Sequence, residues 1–210
     1  MASSFLALEQ LREERDTAFA RELLAGWTPP DAAQAAERDR IVAWIDRYPR
    51  DAHRRERLEG HLTASALVVD PSRGAGLLTH HKKLGRWLQL GGHCDGDANL
   101  ARAALREALE ESGIAGLVVD PVPLDVDVHA IPARGTEPEH WHLDTRFLVL
   151  AAPGARETAG LESLALGWFR ADELERVPTD ESVRRLFRRV FGDAAGGGRL
   201  WAGTSLVRPV

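Results

Sequence analysis

The chain is poor in several residue types, and each shortage narrows what it can be. Cysteine occurs once, at Cys94, so no internal disulfide can form, and the composition fits a reducing, cytoplasmic setting. No apolar run approaches the roughly 18 residues of a membrane span. No signal-peptide pattern follows Met1, so neither membrane insertion nor export is expected. Positive charge is not in excess: 27 Lys and Arg against 32 Asp and Glu leave a net charge of −5, which argues against binding a nucleic acid polymer. A locally basic site for a single nucleotide stays open. Lysine is almost absent, with Lys82 and Lys83 side by side in one turn. No internal repeat and no long low-complexity tract is present. What remains is ordinary: 44% hydrophobic and 28% charged residues describe a globular protein, and 210 residues give room for one domain plus an appendage.

The most informative stretch runs from Gly91 to Ile114, GGHCDGDANLARAALREALEESGI. A glycine turn leads into a helix on which residues three and four apart share a face. Glu107, Glu110 and Glu111 therefore form one acidic patch, and Ala101, Ala104, Leu105, Ala108 and Leu109 an apolar stripe opposite. Like charges at Glu107 and Glu111 cost about 0.2–0.5 kcal/mol. A divalent cation would reverse that sign, because hard cations such as magnesium take carboxylate oxygens together with substrate phosphates. Gly113 stops the helix. Asp95, Asp97 and Asn99 also fit the first ligands of a calcium loop, but Leu100 stands in place of its glycine and Arg106 in place of its closing glutamate.

This stretch resembles the box of the Nudix hydrolase family: G, five residues, E, seven residues, then R-E-U-x-E-E-x-G-U, where U is bulky and apolar. Gly92 opens the box, and Arg106-Glu107-Ala108-Leu109-Glu110-Glu111-Ser112-Gly113-Ile114 closes it in register. There are departures. Ala98 occupies the first glutamate position, Ala108 is small for its slot, and Leu90 takes the proline place of the family's W-x-x-P-G-G before the box. The missing glutamate usually steadies the box arginine, so Asp95 or Asp97 substitutes for it, or Arg106 is held in another way.

The resemblance implies an α/β (α+β) fold, the α/β/α Nudix sandwich around a mixed β-sheet. It implies divalent-metal-dependent hydrolysis of the phosphoanhydride in a nucleoside diphosphate linked to another moiety. Magnesium is the expected ion and manganese the alternative, held by Glu107, Glu110 and Glu111, with Arg106 orienting the carboxylates. Gly91 and Gly92 would let backbone approach the metal or phosphate, and Lys83 could face bound phosphates. Family members often add a carboxylate from outside the box; Glu139, Asp144, Glu157 and Glu162 are the candidates. Two other classes remain: a non-catalytic nucleotide-sensing Nudix module, and a Nudix-fold diphosphate isomerase using a histidine–glutamate metal site and a cysteine, here His93 and Cys94.

Along the chain, residues from about Ser4 to Leu24 read as one helix, and Asp31 caps a second that runs through roughly Tyr48, before Pro49. Residues 1–55 thus form an N-terminal helical extension, either packed on the domain or on a second subunit of a homodimer, or serving as a substrate lid or partner-binding element. Residues 56–192 form the Nudix domain and 193–210 a C-terminal tail. Strands are expected over His61–Val69, Gly76–His80, Arg86–Leu90, Leu117–Val119, Val122–Ile131, Trp141–Ala151 and Leu164–Phe169, with helices over Ala171–Val177 and Glu181–Phe191.

Two strands carry further chemistry. Asp125, Asp127 and His129 alternate on one, and His140, His142 and Asp144 on another, so each triplet shares a face. If the strands pair, these groups and His93 converge as a substrate-binding wall, a second, transition-metal site, or a plain solvent-facing sheet surface.

Overall fold

The computed structural model describes residues 5–82, 84–158 and 163–192. Lys83, Glu162 and the 193–210 tail therefore lie outside the described residues. No described helix is long and apolar enough to cross a membrane.

The N-terminal segment departs from a single helix. A short 3-10 turn covers Leu8–Gln10, and helix α1 spans only Thr17–Gly26, capped by the Asp16 side chain on the Ala18 N–H at 2.9 Å. Between them the chain is extended because its backbone bonds go elsewhere. Glu14 N–H donates to Asp97 Oδ1 at 3.0 Å, the Glu14 carbonyl accepts from Ala98 N–H at 2.6 Å, and the Arg12 carbonyl accepts from Asn99 Nδ2 at 2.9 Å. Helix α2, Ala32–Arg47, begins where the Asp31 carboxylate accepts the Gln34 N–H at 2.9 Å.

The eight-stranded sheet is mixed. Strand β1 (Gly60–Asp70) lies at its centre and is buried along its whole length. Strand β7 (His140–Leu150) runs parallel to β1 from Gly60↔Trp141 to Val69↔Leu150. On its other side β1 pairs antiparallel with β2 (Ala75–His81) through its C-terminal part and with β4 (Leu90–His93) through Thr63–Ala66. The expected strand over 86–90 is thus two pieces, β3 (Arg86–Leu88) on β2 and β4 on β1, broken at Gln89. Strands β5 (Val118–Val119) and β6 (Asp125–Ile131) pair with β7, and β8 (Ser163–Phe169) with β2.

Both sheet faces are covered. On one, Leu62, Ala64, Ala66, Val68, Leu143, Phe147 and Val149 pack with Ala20 and Leu24 of α1, Ile41 and Ile45 of α2, and the alanine-rich face of α3 (Leu100–Ser112). On the other, Leu67, Val69, Leu148 and Leu150 meet Val183, Leu186, Phe187 and Val190 of α4 (Glu181–Phe191). Helix α2 also serves the free edge of β6. The Gln34 side chain donates to the Val126 carbonyl at 2.8 Å and accepts its N–H at 2.9 Å, and Glu37 accepts the Val128 N–H at 2.9 Å.

Candidate active site

Helix α3 starts at Asn99, whose side chain accepts the Arg102 N–H, and stops at Gly113, which takes the left-handed conformation (φ 64°). Its alanines are wholly or nearly buried, so the small Ala108 brings the helix close to the sheet. Its acidic face lies along β4. The N–H of Gly91 donates to Glu111 Oε2 at 3.1 Å. The Glu107 carboxylate lies so close to Gly92 that a Cβ there would stand 2.5 Å from Oε2. At Gly91 (φ 151°) a Cβ would fall 2.3 Å from the Ser65 Cβ. Close approach to β1 therefore requires glycine at position 91, while a side chain at position 92 would displace the Glu107 carboxylate.

The three carboxylates are graded in exposure, from Glu107 at 14% to Glu110 at 61%, with Glu111 half-buried. Arg106 braces them, donating to Glu107 Oε1 at 2.6 Å and Glu110 Oε2 at 3.5 Å, and its other nitrogen donates to the His93 carbonyl at 2.8 Å. Neither aspartate takes the role of the missing box glutamate: Asp95 pairs with Arg55 at 2.6 Å, and Asp97 with Arg102 at 2.7 Å. Arg106 is held by backbone instead. The same pairings, with Asn99 spent on its cap, use up the calcium-loop candidates. Ala98 is fully buried beneath Glu14. Burial raises the Glu107 carboxyl above its usual range, with Arg106 pulling against it. Cys94 is buried and burial pushes its thiol well up, so it is no thiolate nucleophile.

The polar strand residues lie on the sheet face opposite α3, arranged in rows. Across β6, β7 and β1 run His129–His142–His61, then Asp127–Asp144–Thr63, then Asp125–Arg146–Ser65. Strand β4 extends the second row with His93 and the third with Gly91. The two triplets and the box loop are thus brought to one face, as alternation requires. The lower rows form a buried ion network. Asp144 accepts from Thr63 at 3.1 Å, Ser65 at 2.7 Å and Arg146 at 2.9 Å. Arg146 also meets Asp127 at 3.2 Å, while fully buried Asp125 is held by Arg185 at 2.8 Å and Arg189 at 2.7 Å, both from α4. Asp144 is committed to its neighbours, and among the other outside carboxylates Glu157 accepts the Trp168 indole N–H at 2.7 Å, while Glu139 is exposed.

The upper row is a group of imidazoles. The His61 ring centre lies 4.9 Å from His93, 5.2 Å from His140 and 5.0 Å from His142, and His142 lies 5.6 Å from His129. Burial, reinforced by His93, pulls the His61 pKa down to about 4, and burial with His61 pulls His142 lower still. His129 goes the other way: burial opposes its charge, but Asp127, 2.9 Å from Nδ1, outweighs burial and raises its pKa. His61 was not among the residues singled out by sequence. Its signal was the polar alternation His61, Thr63, Ser65, which aligns with the β7 triplet only once the parallel pairing is known.

Residues 60–190 match the family model of the NUDIX domain. No curated protein matches the chain. Among solved structures, an Ap4A hydrolase from C. elegans in a binary complex superposes with a TM-score of 0.50 at 17% identity, covering 61% of this chain and 93% of that one. A MutT NUDIX hydrolase from Burkholderia pseudomallei is 26% identical with a TM-score of 0.49, covering 62% of this chain and 98% of that one. The NUDIX domain of Shewanella oneidensis NrtR, complexed with ADP ribose, is 18% identical with a TM-score of 0.44, covering 61% and 84%. The domain match spans most of the chain and contains both the box helix and the sheet it lies on, so this protein belongs to the Nudix family.

Proposed function

We propose that the protein hydrolyses the phosphoanhydride of a nucleoside diphosphate linked to another moiety, using a divalent ion held by Glu107, Glu110 and Glu111. One observation carries this reading: the three carboxylates of α3 lie along the Gly91–Gly92 strand, with Glu107 in a cradle that a single methyl group at Gly92 would fill. An all-oxygen, anionic donor set suits a hard cation, magnesium before manganese. Such an ion, when bound, neutralises diphosphate charge and lowers the pKa of an attacking water.

The chain's own groups do the rest. Arg106, anchored on the His93 carbonyl, fixes Glu107 and Glu110 relative to the glycine turn. One of the three carboxylates orients the attacking water or takes its proton. His93 and His129 form the wall against which the leaving moiety rests, and Asp127 and Asp144 hold that wall in register. The buried Cys94 removes the thiol that an isomerase of this fold would need.

The deciding assay is product release from a panel of nucleoside diphosphate derivatives with magnesium, then with manganese. Nucleoside monophosphate release from at least one substrate, lost in Glu111→Gln, is the expected result. Binding of nucleotides without turnover under either metal would favour a sensing module instead.

A further inference from the structure

The box carboxylates do not account for the imidazole row, and that row contains an unmet donor set. We propose that the Nε2 atoms of His61, His140 and His142 hold a divalent transition-metal ion of the zinc class, at a site separate from the box carboxylates. One ligand atom from each of the three histidines lies within 4.8 Å of the others.

The tautomers of two of the rings are set for this task. His140 Nδ1 lies 2.9 Å from the Pro138 carbonyl, and His61 Nδ1 lies 3.4 Å from the Arg57 carbonyl. A ring nitrogen facing a carbonyl oxygen must carry the proton, so in the neutral ring Nε2 keeps its lone pair. A carbonyl behind each ring is the usual support of a metal-bound histidine. His61 is 4% exposed, and its Nε2 is buried with no hydrogen-bond partner. Such an orphaned acceptor is costly unless something donates to it or coordinates it.

The spacing of the two β7 nitrogens fits too. His140 Nε2 and His142 Nε2 are 3.3 Å apart. Two nitrogens each about 2.0–2.1 Å from a tetrahedral zinc stand about 3.3 Å from one another. An ordinary N–H···N bond would also span that distance, but it leaves His61 Nε2 unmet. Three imidazole nitrogens select zinc, cobalt, nickel or copper over magnesium, which requires oxygen. The ring of His93 closes one side, 5.4 Å from His142. The site therefore joins β1, the start of β7 and the box loop.

The test uses the full chain, stripped with a chelator and titrated with cobalt(II), whose visible absorption reports tetrahedral nitrogen coordination. One equivalent should bind, be displaced by zinc and persist in millimolar magnesium. His140→Ala and His142→Ala should each weaken binding at least on the order of 100-fold, the upper end of what losing even a supporting contact costs. Glu110→Gln should bind cobalt as the wild type does. Circular dichroism checks the fold, and His140→Gln serves if His142→Ala does not fold. Less than one equivalent bound, or unchanged affinity in both histidine variants, would overturn the proposal. Cobalt binding is read without turnover, so its failure is distinct from a failure of hydrolysis.

Discussion

At the scale of single residues, the acidic face of α3 separates function from stability. Glu110 is exposed, and Glu107 and Glu111 repel across one helical turn. Glu110→Gln and Glu111→Gln should therefore abolish metal-dependent hydrolysis while shifting stability by less than about 0.5 kcal/mol. Near wild-type turnover in either variant would show that the metal is held elsewhere. Gly92→Ala pushes the Glu107 carboxylate out of place and should lower kcat sharply, at a stability cost below about 1 kcal/mol. Steady-state kinetics and a urea melt on the same sample separate the two effects. The carboxylates and glycines were legible in sequence because their spacing is local. The anchor of Arg106 was not: a backbone carbonyl carries no side-chain signature, and His93 offers its oxygen only because β4 pairs with β1.

At the scale of elements, α4 is fastened to the sheet through ions as well as hydrophobic contact. Arg146 sits among Asp125, Asp127 and Asp144, with Arg185 and Arg189 reaching in from α4. Arg146→Met would leave buried carboxylates short of a counter-charge and should cost about 3–5 kcal/mol. An unchanged urea midpoint would mean that the α4 arginines suffice alone. The sequence showed α2, α3, α4 and most strands because their caps and periods are local. It misread residues 4–24 as one helix. Arg12-Glu13-Glu14-Arg15 favours a helix by propensity, but bonds to Asp97, Ala98 and Asn99 hold the segment extended. The alternation of β1 also concealed that it is buried on both faces, which follows from its central place between β7 and the β2–β4 pair.

At the scale of the whole molecule, the N-terminal helices belong to the same core as the box helix. Deleting residues 1–55 would uncover apolar surface and free the N–H groups of Val126 and Val128 on the edge of β6. Size-exclusion chromatography should show aggregates or higher oligomers; a well-behaved monomer with full activity would show the segment to be dispensable. Acid should loosen the fold as well. His53 is buried, and burial, with Arg54 adding to it, lowers its pKa. As pH falls below about 6.5 the unfolded chain takes up the proton first, so stability is full above that pH and declines below it. His61, lowered to about 4, extends the loss toward that value. The melting temperature of metal-stripped protein should hold from pH 7.5 to about 6.5 and fall from there to pH 5, less so in His53→Phe. A flat profile would refute the buried, neutral imidazoles.

The parallel pairing of β1 with β7 has a further consequence, for the order of folding. His61 meets His142 across that pairing, while the box, β2 and most of the sheet lie in the chain between them. Hairpins and helices can form early from neighbours in sequence, but this contact must wait for a long loop to close, and such contacts form slowly. The imidazole row should therefore be among the last parts of the molecule to form during folding. By the same reasoning the amides of β1 beside it should exchange with solvent only when the whole domain opens. Any variant that slows closure of the central pair will delay the appearance of the site, even where it touches none of its residues.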